Sequence, residues 1–380
     1  MASRASKETK LGVIDLFSGV GGLSLGAARA GFSLNGAVEI DPHALSAHRQ
    51  NFPTTIHLSE SVSKLNGAQL RQTFELANGS LAGIIGGPPC QGFSSIGKRE
   101  ISDPRNDLFS SFFRIVSEAK PKFFLAENVP GILNEQYDHI RKKAFSYVKD
   151  TYELLRPIKI CARDFGAPTT RTRVFFYGYL KNEMDCLEEE NFKPPAHIEP
   201  VTVGDALKGL PLKIKPNWQL EEHGWRIARS QGRKYFHVRL RGNIPTNVGD
   251  PLAVEKMINE SRASGCLGTL HSKKVAFRYD NVECGKTDPI SKSYRLDPKG
   301  FCPTIRAGTD STRGSYQAVR PIHPTEPRVI TPREAARLQG FPDWFRFAPS
   351  KWHSFRQIGN SVSPILAERL LYIIRKALGD

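Results

Sequence analysis

The sequence contains no apolar run near the roughly 18 residues that a membrane-crossing helix requires. Its first ten residues, Met1 to Lys10, carry positive charge but no apolar stretch. That reads as a disordered tail rather than a secretory signal peptide, and an intracellular protein, cytoplasmic and nucleoid-associated, is expected. The six cysteines, Cys90, Cys161, Cys186, Cys266, Cys284 and Cys302, are scattered, and no two stand as Cys-x-x-Cys. A zinc knuckle or a disulfide framework is therefore not expected, and no metal is. Acidic residues are in deficit: 54 Lys and Arg face 38 Asp and Glu, for a net charge of +16. Such an excess points to a polyanionic partner, most simply nucleic acid.

What is present is a globular composition, 39% hydrophobic over 380 residues. That length suggests two to three domains and supports a sizeable core. One stretch organises the rest: Gly86-Gly-Pro-Pro-Cys-Gln-Gly-Phe-Ser94. The apolar run Leu81 to Ile85 before it reads as a buried strand. Two glycines and two prolines then stop the strand and stiffen the turn. A thiol, Cys90, is thereby offered at the carboxyl end of a strand, the edge where open α/β sheets bind ligands. Taken alone, Cys90 reads equally well as a small buried hydrophobe.

Other strand ends carry similar groups. Leu11 to Phe17 reads as a strand, followed by the glycine turn Ser18-Gly-Val-Gly-Gly22 and a helix from Leu23 to Ala30. This opens a doubly wound nucleotide-binding fold, although Ser24 stands where a dinucleotide fingerprint has its third glycine. A second strand, Leu34 to Ile40, ends in Glu39, a carboxylate placed to take a ribose hydroxyl pair; Asp41 caps the next helix. A weaker strand near Ile56 to Ser61 brings Glu60. A fifth, Lys122 to Ala126, ends in Glu127-Asn-Val-Pro130. Asp15, Glu39, Cys90 and Glu127 are thus expected along one sheet edge. The polar segment Gln91 to Asn106 reads as a loop, and the apolar stripe Leu108 to Ala119 as a core helix. Two more strands, Lys159 to Asp164 and Arg173 to Tyr179, flank Arg171-Thr-Arg173. Those arginines could bind a base carbonyl, a phosphate or a carboxylate.

The ordered motifs Asp15 to Gly22, Gly87 to Ser94, Glu127-Asn-Val129 and Arg171-Thr-Arg173 resemble those of the cytosine-5 DNA methyltransferases. Thr331 to Asp343 and Gln357-Ile-Gly-Asn-Ser-Val362 are similar to that family's last two motifs. The resemblance spans nearly the whole chain and implies the compact bacterial, restriction-modification type. The fold it implies is a Rossmann-like S-adenosylmethionine-dependent catalytic domain with a smaller, irregular target-recognition domain. It implies that Cys90 adds to carbon-6 of cytosine and that Glu127 meets ring nitrogen-3, with Arg173 and Arg171 holding the carbonyl oxygen. S-adenosyl-L-methionine would lie along Phe17, Ser18, Gly19, Gly21, Gly22, Glu39, Ile40, Glu60 and Pro89, closed by Asn360. A thiol of ordinary pKa about 8.5 is only a few per cent thiolate at neutral pH, so basic surroundings should help Cys90. The target base must be flipped out of the duplex, and the loop after Cys90 is the natural lid. This sequence departs from the family at three places. Thr169 replaces a usual glutamine, Glu60 an aspartate, and Ile96 a small polar loop residue.

The second half is less periodic. From His223 to Gly249 there is no acidic residue, and Arg226, Arg229, Arg233, Lys234, Arg239 and Arg241 interleave with aromatics. That pattern suits a nucleic-acid surface, with Ile96 as a wedge from the lid. His271, Arg278 and Arg306 are further candidates for reading bases. The expected division is a tail over 1–10, a catalytic and cofactor domain over 11–190, a target-recognition domain over 191–328, and a segment over 329–380 that packs back on the first domain. Double-stranded DNA is the expected partner of a monomer, with a cognate restriction endonuclease as a functional partner. Two alternatives stand beside this reading. One is the related tRNA-methylating branch, whose Cys-Phe-Thr signature is missing between Tyr179 and Pro332. The other is a silent DNA-binding protein on the same fold, which would be expected to lack Cys90 or Glu127.

Overall fold

A computed structural model describes residues 11–76, 81–89, 106–215, 223–229, 232, 234–308 and 319–379. Cys90, Ile96 and Arg233 lie outside the described residues. The centre is a sheet of eight strands: β1 (Gly12–Leu16), β2 (Ser33–Val38), β3 (Ile56–Leu58), β4 (Leu81–Gly86), β5 (Phe123–Asn128), β6 (Tyr152–Leu154), β7 (Ile158–Cys161) and β8 (Thr172–Leu180). Their order is β3-β2-β1-β4-β5-β8-β6, and β7 also pairs with β8. The first five strands in that order are parallel; β8 runs antiparallel to β5, β6 and β7. From β1 the chain moves outward to β2 and β3, then returns to β4 on the other side. The crevice at that reversal is where open α/β sheets bind ligands.

Side chains of the central strands alternate between two apolar cores. Val13, Ile85, Phe123 and Leu125 face one layer, built by α1 (Gly22–Arg29), α2 (Pro42–Asn51) and the last helix. Ile14, Leu16, Ile84 and Phe124 face the other, built by α3 (Gly67–Thr73), α4 (Asn106–Ala119) and α5 (Asp138–Ser146). Central strands covered on both faces are continuously apolar, which is why GVIDL and LAGIIG read so clearly. Gly86 permits the closest approach: a Cβ there would lie 2.2 Å from the Leu16 carbonyl oxygen.

The remaining elements are short: α6 (Val203–Leu207), β9 (Arg226–Ile227), α7 (Tyr235–Arg241), α8 (Pro251–Glu260), β10 (Arg262–Ala263) and α9 (Lys273–Asp280), with β9 antiparallel to β10. Then come α10 (Pro332–Gln339), α11 (Lys351–Asn360) and α12 (Pro364–Ala377). Helix α12 lies on α1 so closely that a Cβ on Gly26 would sit 2.4 Å from that of Ala367. All eight residues of α10 are buried. The Thr331 hydroxyl caps it at the Glu334 amide, while the Glu334 carboxylate accepts from the Thr331 amide. Its charges are satisfied internally. Arg328 grips both oxygens of Glu334 at 2.9 and 2.7 Å, and Arg337 both oxygens of Asp343 at 2.8 and 2.7 Å. Arg333 donates to the carbonyls of Ser264, Pro342 and Phe345.

Several boundaries differ from the sequence reading. Strand β2 ends at Val38, because the Glu39 side chain turns to take backbone amides. Strand β7 ends at Cys161 in a 3-10 turn that closes at Gly166 with φ +87°. Helix α5 and strand β6 went unanticipated; both are short and carry few apolar residues in a clear period.

Candidate active site

Two turns meet at the crevice. The turn after β1 carries Phe17 at φ +61°, Gly19 at +55° and Gly21 at +101°. Phe17 is not glycine, so this left-handed backbone is a local strain held at the cleft wall. Glycines give the rest of the turn its shape: a Cβ on Gly21 would strike the Phe52 ring at 2.4 Å, and one on Gly22 the Val362 carbonyl oxygen at 2.4 Å. Glu39 fixes the turn from β2. Its Oε2 accepts from the Gly19 amide and its Oε1 from the Asp41 amide, each at 2.8 Å. Burial raises the Glu39 pKa, and the two amides work against that rise. Each oxygen keeps a lone pair for a ligand.

The second turn follows β4. Gly87, Pro88 and Pro89 line the cleft and lead to Cys90. Asn128, at the end of β5, donates to the Pro88 carbonyl at 3.3 Å. Glu127 is 8% exposed, and Arg173 at the start of β8 meets its Oε1 at 2.6 Å. Its Oε2 lies against Gly87, where a Cβ would come within 3.1 Å. Because β8 is antiparallel to β5, its beginning adjoins the end of β5, so the two charges converge. Arg171 is nearly fully buried, also lines the cleft, and donates to the Ile305 carbonyl at 3.4 Å. Thr169 donates its hydroxyl to the Cys302 carbonyl at 3.0 Å, tying the arginine segment to the 302–305 stretch.

The cleft has a volume of about 420 Å³. It is lined by Phe17, Ser18, Gly19, Gly22, Glu39, Ile40, Glu60, Pro89, Glu127, Arg171, Arg173 and Asn360; Gly21 sits behind it. Ile40 is 65% exposed, an apolar side chain on the rim. Glu60 accepts from the Ser61 amide at 2.8 Å and pairs with Lys64 at 3.5 Å; the amide, then the lysine, lower its pKa.

Asp15 does not belong to this edge. It is fully buried inside β1 and accepts from Ser24 of α1 at 2.5 Å. Ser24 meets His48 at 3.0 Å, and His48 meets His57 at 2.8 Å. Desolvation pushes the Asp15 pKa to about 7, against the Ser24 hydrogen bond. Desolvation also depresses His48, and His57 to about 4. No local pattern announced this chain of groups, since its members come from four separate elements.

Helix α11 supplies two wall residues that sequence reasoning did not single out, His353 and Arg356, beside Gln357, the first residue of the last motif. His353 stacks on His43 with ring centres 3.6 Å apart, and Arg356 lies 3.8 Å from Asp41. The Gln357 amide donates to the His43 carbonyl at 3.0 Å. The signal available was the capped start of α2 at Asp41-Pro42.

The basic stretch of the second region divides in two. Arg229 is exposed and Arg226 half-buried. Arg239 instead turns inward to Glu368 and stacks over Tyr235. Arg241 donates to the Met257 carbonyl at 2.9 Å, and Lys234 pairs with Asp205 at 3.2 Å. Arg278 likewise pairs with Asp288 at 2.8 Å. Among the described residues no group of three or more His, Cys, Asp or Glu side chains is placed to hold a metal. No described helix is long and apolar enough to cross a membrane.

Residues 11–376 match the family model of the C-5 cytosine-specific DNA methylases. The chain is similar to the Type II methyltransferase M.XorII of Xanthomonas oryzae pv. oryzae. The two are 40% identical over 96% of this chain and 84% of that protein. M.DdeI of Desulfomicrobium norvegicum, another Type II methyltransferase, is 32% identical over 95% of this chain and 87% of its own. Among solved structures, a DNA modification methyltransferase encoded within an Escherichia coli prophage superposes with a TM-score of 0.88. It is 54% identical and covers 98% of this chain and 100% of its own. The Dnmt2 methyltransferase of S. pombe, 17% identical with a TM-score of 0.61, shares the fold. A cleft at the switch point of a Rossmann-like sheet, floored by a buried Glu–Arg pair beside a Pro-Pro-Cys turn, is thus found on a chain that belongs to the C-5 cytosine-specific DNA methylases, enzymes that methylate DNA with S-adenosylmethionine.

Proposed function

We propose that this enzyme methylates carbon-5 of a flipped-out cytosine within a specific DNA sequence through a covalent adduct to Cys90. The observation that carries the reading is the buried Glu127–Arg173 pair at the cleft floor, immediately beside the turn that leads to Cys90. Carbon-5 of cytosine is a poor nucleophile until electrons enter the ring. The Cys90 thiolate forms a bond to carbon-6, and the ring's carbon-5–carbon-6 π electrons move toward nitrogen-3 and the carbonyl oxygen. Glu127 meets the developing charge at nitrogen-3, and Arg173 holds the Glu127 carboxyl in place. Arg171, anchored to Ile305, faces the carbonyl oxygen. Carbon-5, made nucleophilic, would take the methyl group; loss of its proton to a base then breaks the carbon-6–sulfur bond, expels the Cys90 thiolate and restores the ring.

The cleft residues fit the cofactor. Ser18 offers a buried hydroxyl without a hydrogen-bond partner, Glu39 two oriented oxygens, and Ile40 an apolar face for an adenine. Phe17, Gly19, Gly21, Gly22, Glu60, Pro89 and Asn360 complete that set. S-adenosylmethionine supplies the methyl group. Region 191–328 is read as the target-recognition domain, with Arg226, Arg229 and Arg233 toward the duplex and Ile96 filling the gap left by the base. Lys234, Arg239 and Arg241 act there by bracing the region rather than by touching phosphate. The enzyme works as a monomer, with a restriction endonuclease of the same specificity as its functional counterpart.

The test is Cys90→Ala. Methyl transfer to mixed genomic DNA should vanish while S-adenosylhomocysteine still binds. Turnover near wild type would remove Cys90 as nucleophile. Base-resolution mapping of 5-methylcytosine by the wild type should reveal a single sequence motif.

A further inference from the structure

A second cavity, of about 800 Å³, lies at the opposite end of α1 from the cofactor turn. That turn precedes α1, whereas Ala28 and Arg29 at the helix's end line this cavity. The walls come from both halves of the molecule: α1 and α12 on one side, α7 and the stretches 195–201 and 243–245 on the other. A volume of this size falls in the range of about 300–1,000 Å³ that small-molecule sites occupy.

Two faces of the cavity differ in chemistry. One is apolar, formed by Phe165, Ile198, Val201, Phe236 and Ile244. The other gathers three guanidinium groups, Arg29, Arg239 and Arg369, around the buried carboxylate of Glu368, with the exposed Glu199 also in the lining. Glu368 is taken up by Arg239 through one oxygen. Arg29 spends one nitrogen on the carbonyls of Arg239 and Gly242, at 2.8 and 3.5 Å. Its Nε and Nη1 remain buried without a hydrogen-bond partner, as do the Nε atoms of Arg239 and Arg369. Burial pulls the Arg29 pKa down to about 10, against the pull of Glu368. Buried donors left unpaired are costly, and guanidinium forks match phosphate oxygens. Nothing in methyl transfer uses this cluster.

We infer that this cavity is a second ligand site for a nucleotide-class molecule, a flat apolar body carrying phosphate. The phosphate would sit among Arg29, Arg239 and Arg369, and the flat body against the half-buried Ile198 and Ile244. Because α7 closes the site against α1 and α12, an occupant stiffens the second region on the catalytic body.

The experiment is calorimetric titration of the full chain, saturated with S-adenosylhomocysteine so that the cofactor cleft is filled. Adenosine 5′-triphosphate, adenosine 5′-monophosphate, adenosine and inorganic phosphate are compared. The nucleotides should bind, with adenosine and inorganic phosphate at least about tenfold weaker, each tenfold step being about 1.4 kcal/mol. Arg369→Ala and the cavity-filling Ile198→Trp should each weaken nucleotide binding at least about tenfold, with S-adenosylhomocysteine affinity unchanged. No binding by either nucleotide, or equal binding in both variants, overturns the assignment. Inorganic phosphate binding as tightly as the nucleotides overturns the flat-body half of it. The readout is independent of methyl transfer, so failure here leaves the role of Cys90 untouched.

Discussion

Two buried ion pairs invite comparison. Arg337–Asp343, between α10 and the turn after it, is sealed: the side chains are 0% and 1% exposed, and both carboxylate oxygens are gripped. Arg173–Glu127 has the same chemistry at nearly the same distance, 2.6 against 2.7 Å, but opens on a cleft with 12% and 10% exposure. The sealed pair has spent its hydrogen-bonding capacity on itself and on neighbouring carbonyls; Arg337 also reaches Ala206 and Lys208. The open pair keeps oxygen lone pairs and guanidinium N–H groups for a ligand. An ion pair thus acts as structure where every partner is internal, and as a working group where one side is left to be completed.

The difference is measurable. Arg337→Ala strands a buried carboxylate and should cost about 3–5 kcal/mol of stability by urea unfolding, whereas replacing Arg337 and Asp343 together by apolar residues should cost far less. If the single and double changes destabilise equally, the pair is not the element that matters there. At the open pair, Arg173→Ala should lose about 10²-fold or more in kcat/KM, with a stability change near 1 kcal/mol, because water entering the cleft can solvate Glu127. A large loss of stability with activity retained per folded molecule would make the two pairs alike.

A third buried carboxyl sharpens the comparison, since Asp15 has no cation beside it. Its folded pKa of about 7 lies above the unfolded value near 3.9, so the folded state holds the extra proton between them. Stability from this group is complete below about pH 4 and is lost as pH rises toward and through 7. Asp15→Asn removes that loss. The variant's stability relative to wild type should therefore climb between pH 5 and pH 7.5, by on the order of 1–3 kcal/mol. A difference that stays flat with pH would mean that Asp15 is not titrating. His48 and His57, both depressed, act in the opposite direction but are common to the two proteins.

The same contrast explains what the sequence could disclose. Central strands such as β1 and β4 are covered on both faces, so their residues are apolar without interruption, and strand and turn are visible together. Gly86 to Pro89 is a further mark, because so few backbones need two glycines and two prolines in a row. Glu39 and Glu127 stand at strand ends, where a boundary misjudged by two residues leaves the side chain at the same edge. Asp15 shows the limit of that argument: by strand register it lies two residues before Glu39 and Glu127, and its carboxyl reaches Ser24 instead of the cleft. The arginines of the second region were not legible in this way. A buried arginine and a surface one have the same local sequence, and only distant carbonyls and carboxylates decide between them. Arg239 and Arg241 read as a basic surface, yet their partners, Glu368 and the Met257 carbonyl, lie 129 and 16 residues further along the chain, in other elements. The region owes its order to such contacts rather than to periodicity.

The seat of α12 on α1 has a genetic consequence. Arg375 donates to the Ala30 carbonyl across 345 residues of sequence, and Gly26 admits Ala367 at a distance no larger side chain would allow. A reading-frame shift or premature stop just beyond Val362 would spare every residue assigned to cytosine and cofactor, yet remove the helix on which α1, and with it the first glycine turn, rests. Such an allele should yield a polypeptide that carries each signature motif and methylates nothing.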